Sequence, residues 1–230
     1  MPLAAHLRKD IVTDSTAVTP EDLEVISRQL GRPARDVVEI PARCVCGNPL
    51  VAATAPRLSN GTPFPTTFYL THPVVTSAVS RLEAAGVMNE MNGRLADDPA
   101  LAAAYRAAHQ AYLAERQRIG ERAAIGPVPE IDGVSAGGMP ERVKCLHVLV
   151  GQSLSMGRGV NPLGDEAVER IAEWWTPDRC YCVGAWDTAS PVPDRDLSRH
   201  GPQGLPAMTG RPAPVRKRAG NDETQQGETA

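Results

Sequence analysis

Residues 37–54 read VVEIPARCVCGNPLVAAT. Val37 to Arg43 is rich in β-branched and apolar residues and reads as a strand. Leu50 to Thr54 reads as a second strand. Cys46-Gly47-Asn48-Pro49 between them carries turn chemistry, so the pair is expected to form a hairpin. Pro41 lacks a backbone donor and belongs on an edge or at a bulge. A third short strand is expected at Thr66 to Leu70, after the loop Arg57 to Pro65 with its Asn60-Gly61 turn.

Helices flank this segment. Upstream, Thr19 is placed as an N-cap, Pro20 at the first helical position and Asp22 where a capping box reaches back. Leu23, Ile26 and Leu30 give the apolar stripe and Gly31 the stop. Downstream, His72-Pro73 opens a helix with Val75, Ala78, Val79 and Leu82 on one face, ending at Gly86. Asp98-Pro99 opens the longest helix, with Leu101, Tyr105, Ala108 and Tyr112 at helical spacing. A fourth helix is expected from Pro140 to about Met156, and a last short one from Asp165 through Trp174-Trp175. The fold class is therefore α+β: a small antiparallel sheet packed against four or five helices.

Composition fits one domain over residues 19–186. Apolar residues make up 42% of the 230-residue chain, enough for a core, but aromatics only 4%, so Ala, Val, Leu and Ile must build it. Residues 1–18 are expected to be a flexible lead. From Asp187 to Ala230 the chain is mostly Pro, Gly, Ser, Thr and charge, and is expected to be a disordered tail. The net charge of −3 disfavours nucleic acid as a partner. No run approaches the ~18 apolar residues of a membrane span, and the N-terminus lacks a signal-peptide layout. A cytoplasmic location follows, with the five cysteines as thiols or metal ligands and not a disulfide framework.

Several segments resemble an uncharacterised bacterial family, common in actinobacteria, called domain-of-unknown-function family 501. They are Arg43-Cys44 with Gly47 and Pro49, Pro56-Arg57, Gly61 to Thr66, Tyr69 to Pro73, Arg81-Leu82-Glu83, Gly137 to Pro140, Val143 to His147, and Gly159 to Pro162 with Gly164-Asp165. The resemblance brings no established activity. It implies gene neighbours resembling a septum-formation initiator and an exopolyphosphatase, which is the basis for an alternative role as a non-enzymatic interaction protein associated with cell division.

Two kinds of site are legible. Cys44, His72, Cys145 and His147 supply the N and S ligands that zinc or another transition metal takes at tetrahedral geometry. Two C-x-C pairs, 44/46 and 180/182, offer four thiolates as well, although C-x-C demands a turn within one residue. On a helix, Cys145 and His147 would point about 200° apart, which opposes both a shared metal and a catalytic pair. The competing reading is packing, with Cys145 a core thiol and His147 a structural histidine. The second kind is an anion site for a small ligand, drawing on Arg43, Arg57, Arg81, Arg142 and Lys144 around the helix start after Gly137-Gly138. Its competitor is pairing of these cations with Glu39, Glu83 and Glu141. No phosphate-loop or nucleophile-elbow motif is present, so the sequence assigns no reaction.

Overall fold

The computed structural model describes residues 16–182. The expected tail and all but the last residues of the expected lead lie outside that range. Four antiparallel strands form one sheet in the order β1-β2-β3-β4: β1 Thr16–Ala17, β2 Val37–Arg43, β3 Pro49–Thr54 and β4 Phe68–Leu70. Thr16 and Ala17, assigned above to the lead, pair with Ile40 and Glu39. The β2–β3 hairpin forms as expected, with register shifts on either side of Pro41 that absorb its missing donor.

Among the described residues six α-helices surround the sheet: α1 Pro20–Leu30, α2 Pro73–Ala84, α3 Val87–Asp97, α4 Pro99–Arg122, α5 Leu146–Met156 and α6 Pro162–Arg170. At α1 the reciprocal Thr19–Asp22 capping box is made and Gly31 closes the helix at a φ of 63°. Helix α3 has no counterpart in the sequence reading. Gly86 stops α2, but at a φ of 82° it also turns the chain straight into α3, whose Val87, Met91 and Leu95 are buried at four-residue spacing. The last helix is capped by Asn161, not Asp165, and it ends before the tryptophans.

All six residues of β3 are buried, because both sheet faces are covered. On one face Ile26 of α1 packs with Ile40 and Ala52. On the other, Ala42, Val51, Phe68 and Leu70 join the main core with α2, α4, α5 and α6. Helix α5 is central to that core. Leu146 and every residue from Val148 to Ser155 are buried. Small residues let its neighbours close in. A Cβ on Gly151 would stand 2.9 Å from the Phe68 carbonyl oxygen, and one on Gly164 of α6 would stand 2.4 Å from the Leu149 carbonyl oxygen.

Two buried polar clusters tie elements together inside this fold. Gln152 donates to the Ala108 carbonyl (2.8 Å) and accepts from Asn161 (2.8 Å), while the Asn161 side-chain oxygen caps Gly164 (3.0 Å). One buried amide pair thus ties α4, α5 and α6 together. On the sheet, the wholly buried Glu39 side chain is gripped by Arg118 (2.7 and 2.8 Å) and by Arg122, both from α4. No helix among the described residues is long and apolar enough to cross a membrane.

Two outcomes follow. Gly164→Ala should cost about 3 kcal/mol or more, at the upper end of overpacking penalties, read as a lowered midpoint in urea unfolding. The second concerns acid. Burial alone would raise the Glu39 carboxyl, but Arg118 and Arg122 outweigh it and hold it below its usual 4.5. A folded-state value below the unfolded one stabilises fully above the unfolded value and is lost as pH falls through the folded one. The stability gap between wild type and Glu39→Gln should therefore be widest near pH 7 and narrow below about pH 4, measured by thermal unfolding across that range.

Candidate metal centre

The hairpin turn that joins β2 to β3 is tight. The Cys44 N–H donates to the Asn48 carbonyl and the Gly47 N–H to the Cys44 carbonyl, both at 2.8 Å. Gly47 sits at a φ of 94°, which only glycine adopts without strain. This turn holds Cys44 buried and Cys46 exposed on the same small loop. The second C-x-C pair arrives from the far end of the described chain. After α6 the backbone turns through Ile171 to Trp174, buries Trp175, and presents Cys180 and the buried Cys182.

The four sulfurs of Cys44, Cys46, Cys180 and Cys182 lie within 4.8 Å of one another, and all four are free thiols. Sulfurs bound to one tetrahedral zinc at about 2.3 Å stand ~3.8 Å apart, so small rotamer changes close the set on an ion. The backbone is arranged for thiolates. The Cys182 N–H points at Cys180 Sγ (3.4 Å), and N–H groups of Cys46 and Asn48 serve Cys44 and Cys46 in the same manner. The hydrogen bond from Cys182 draws the Cys44 thiol far below its usual range, against the effect of burial. Cys182, as the donor, is pushed up correspondingly.

His72 belongs to this cluster. It stands just before the first residue of α2, its side chain is completely buried and its Nε2 lies 3.2 Å from Cys182 Sγ. Burial lowers its pKa, so the ring is neutral, with Nε2 placed to donate to the sulfur. The Asn48 side chain supplies a second donor to Cys182.

Cys145 and His147 lie elsewhere. The helix expected from Pro140 begins only at Leu146, because Val143 is held extended by Asn92 of α3. The Asn92 amide accepts from the Val143 N–H (2.8 Å) and donates to its carbonyl (3.0 Å), in the manner of a paired strand. Cys145 is consequently an extended N-cap with a φ of −154°, and the 200° separation does not apply. Its sulfur is 3.8 Å from His147 Nδ1. Glu83 from the last turn of α2 completes the group, with one oxygen 3.1 Å from His147 Nδ1 and 2.7 Å from the Leu146 N–H. Burial alone would lower His147, but Cys145 and Glu83 outweigh it and bring its pKa to about 9.

The four-residue set Cys44, His72, Cys145, His147 is thus divided between two places, and neither metal-capable group among the described residues contains all four. Helix α2 explains the division. His72 precedes its first residue and Glu83 sits in its last turn, about 16 Å of helix apart. The cations expected at an anion site are spread out too. Arg43 forms a two-bond pair with Asp22 (2.6 and 2.8 Å), Arg57 one with Glu130 (2.6 and 2.8 Å), and Arg81 lies over the Trp174 ring at 5.0 Å. Arg142 and Lys144 are exposed. Glu39 pairs with α4 arginines and Glu83 with His147, neither with the motif arginines.

A family described as a protein of unknown function (DUF501) matches residues 40–169. The chain belongs to that family. No curated protein and no solved structure matches the chain. The DUF501 span includes Cys44, Cys46, Glu83, Cys145 and His147, and ends before Cys180 and Cys182.

The Asn92 clip yields a test. Val143 is buried, so Asn92→Ala orphans both a donor and an acceptor and should cost about 2–4 kcal/mol. Asn92→Asp, which keeps the acceptor but sets a carboxylate oxygen against the Val143 carbonyl, should recover little of it. A variant as stable as wild type in chemical denaturation would show that Asn92 does not fix this segment.

Proposed function

We propose that the protein is a zinc-binding protein whose Cys44, Cys46, Cys180 and Cys182 thiolates hold one structural ion. The observation that carries this is the approach of four unpaired sulfurs from two distant C-x-C pairs to within 4.8 Å of one another. A four-sulfur tetrahedral set selects zinc or iron among biological metals. Four protein ligands leave no open position, which is the mark of a structural site. The ion would fasten the segment after α6 to the β2–β3 turn.

The surroundings support the reading. Four thiolates around a dication carry a net charge of −2, and such an excess needs donors. Backbone N–H groups of Cys46, Asn48 and Cys182 and the side chains of Asn48 and His72 supply them. An outer ring of donors of this kind orients ligands and tunes a metal. The Arg43-Cys44 and Thr71-His72-Pro73 segments both contribute here, one a ligand and the other the His72 donor.

Elemental analysis of full-length protein purified without chelator should find zinc, and Cys180→Ser with Cys182→Ser should remove one equivalent. X-ray absorption at the zinc edge should include a four-sulfur shell near 2.3 Å. Less than about 0.1 equivalent of any transition metal would overturn the proposal, because structural sites hold their ion through purification. Two disulfides among these cysteines in protein kept under nitrogen would overturn it equally.

A further inference from the structure

Glu83, Cys145 and His147 form a second group within 4.8 Å, inside the family span and independent of the four thiols. Three elements build it: the last turn of α2, the extended residue before α5, and the first turn of α5. Each contributes one donor of a different kind: carboxylate, thiol and imidazole.

The two nitrogens of His147 have different surroundings. Nε2 lies 3.2 Å from the Thr76 carbonyl oxygen, which can only accept, so Nε2 carries the ring proton. In the neutral ring Nδ1 then has a bare lone pair. Yet Nδ1 faces a Glu83 oxygen at 3.1 Å and the Cys145 sulfur at 3.8 Å, both electron-rich. Something positive must sit among them, either a proton or a metal ion. A proton on Nδ1 serves the carboxylate well, but the sulfur is at the long limit of a hydrogen bond. A metal ion serves all three. Bonds of about 2.0 to 2.3 Å to N, O and S put the ligand atoms ~3.3–3.7 Å apart, close to what is seen. A backbone carbonyl on the far nitrogen is also the usual outer partner of a metal-bound histidine.

We propose that Glu83, Cys145 and His147 bind a second zinc ion through three protein ligands, with the fourth position taken by water or a small anion. No fourth Cys, His, Asp or Glu joins them among the described residues. The Glu83 and His147 side chains each keep 24% of their surface exposed, so solvent reaches the ion. One thiolate and one carboxylate balance the dication. A neutral site with three ligands and a water is the composition of catalytic zinc, where the bound water's pKa falls toward 7. The four-thiolate centre is closed and carries −2. The two sites therefore differ in role: one fastens the fold and the other presents a Lewis acid.

Metal counting and spectroscopy on the full chain separate the two sites. Wild-type protein loaded with Co²⁺ should bind two equivalents. His147→Ala and, separately, Cys145→Ser should each bind one and still unfold cooperatively. Cys180→Ser with Cys182→Ser should also bind one. The Co²⁺ remaining in that variant should show visible bands that shift on adding azide, as an open position requires. Equal metal content in wild type, His147→Ala and Cys145→Ser overturns this proposal and leaves the four-thiolate reading standing. Loss of metal only in the Cys145 and His147 variants supports it and overturns the other. Iodoacetamide alkylation of Cys145 at one rate with and without added Zn²⁺ shows that no ion covers the thiol and overturns the proposal.

Discussion

Helix α5 is enclosed along its length, with only His147 and Met156 partly exposed. Leu146 and all of Val148 to Ser155 are buried, so every side must be covered by another element and the buried helix start needs a partner from the protein. Much of the architecture follows from that. Gly151 and Gly164 are needed because β4 and α6 approach the helix to backbone contact. Gln152, a polar residue in the middle of the helix, is tolerated because Asn161 and the Ala108 carbonyl complete it. The N-terminus is met by Glu83, a carboxylate brought from another helix, where the exposed N–H groups and the helix dipole favour negative charge. That requirement sets a carboxylate beside Cys145 and His147. The candidate site there is a consequence of how a buried helix must begin.

The four-thiol cluster answers a different constraint. Residues 171–182 follow the last helix without a helix or strand of their own, and are held by side chains alone: Ile171, Trp175 and Cys182 join the main core, with Trp174, Cys180 and Tyr181 packed against it. Joining this segment to the β2–β3 turn fixes the two ends of a long loop, which metal clips do with large effect. The turn suits the purpose. A hairpin loop pinned by backbone bonds and by Arg43, which reaches the Gly47 carbonyl (2.9 Å) while paired to Asp22, presents its thiols from a rigid base. Removal of those thiolates from water is offset by N–H donors already in place before any ion arrives.

Much of the fold was legible in the sequence, because its signals were local. The Thr19 capping box, the Gly31 stop, the Cys46–Pro49 turn of the hairpin and the Asp98-Pro99 start all depend on residues within four positions of one another. What escaped depended on distant partners. Helix α5 starts late because Asn92, some fifty residues upstream, holds Val143 extended, and nothing in the sequence between Pro140 and Leu146 announces it. Helix α3 was hidden because Gly86 looks only like a terminator, while its positive φ also allows a new helix to begin at once. The sites show the same division. Cys44, His72, Cys145 and His147 were all marked as chemistry-bearing, and each stands in or against a metal-capable group. The two C-x-C pairs were legible as an alternative four-thiol set, because four of the five cysteines fall into two identical spacings. That these arms meet while Cys145 and His147 stand apart from Cys44 is tertiary, and no local spacing carries it.

Helix α2 connects these observations. Its N-terminal neighbour His72 rests against Cys182 and its last turn carries Glu83. The two metal-capable groups therefore stand at opposite ends of one short rigid rod, too far apart to share a ligand or act as a dinuclear pair, for which ions must lie about 4 Å apart. They remain mechanically linked. The rod's burial in the main core through Val75, Ala78, Val79 and Leu82 means that a shift at one end is carried to the other as a rigid displacement and not absorbed locally. Fastening the 180–182 segment against His72 thus stabilises the end of α2 that faces away from Glu83, and with it the position of the carboxylate. On this reasoning the four-thiolate site we propose would serve the proposed open one by holding its scaffold still, as sites that need ligand geometry within about half an ångström require.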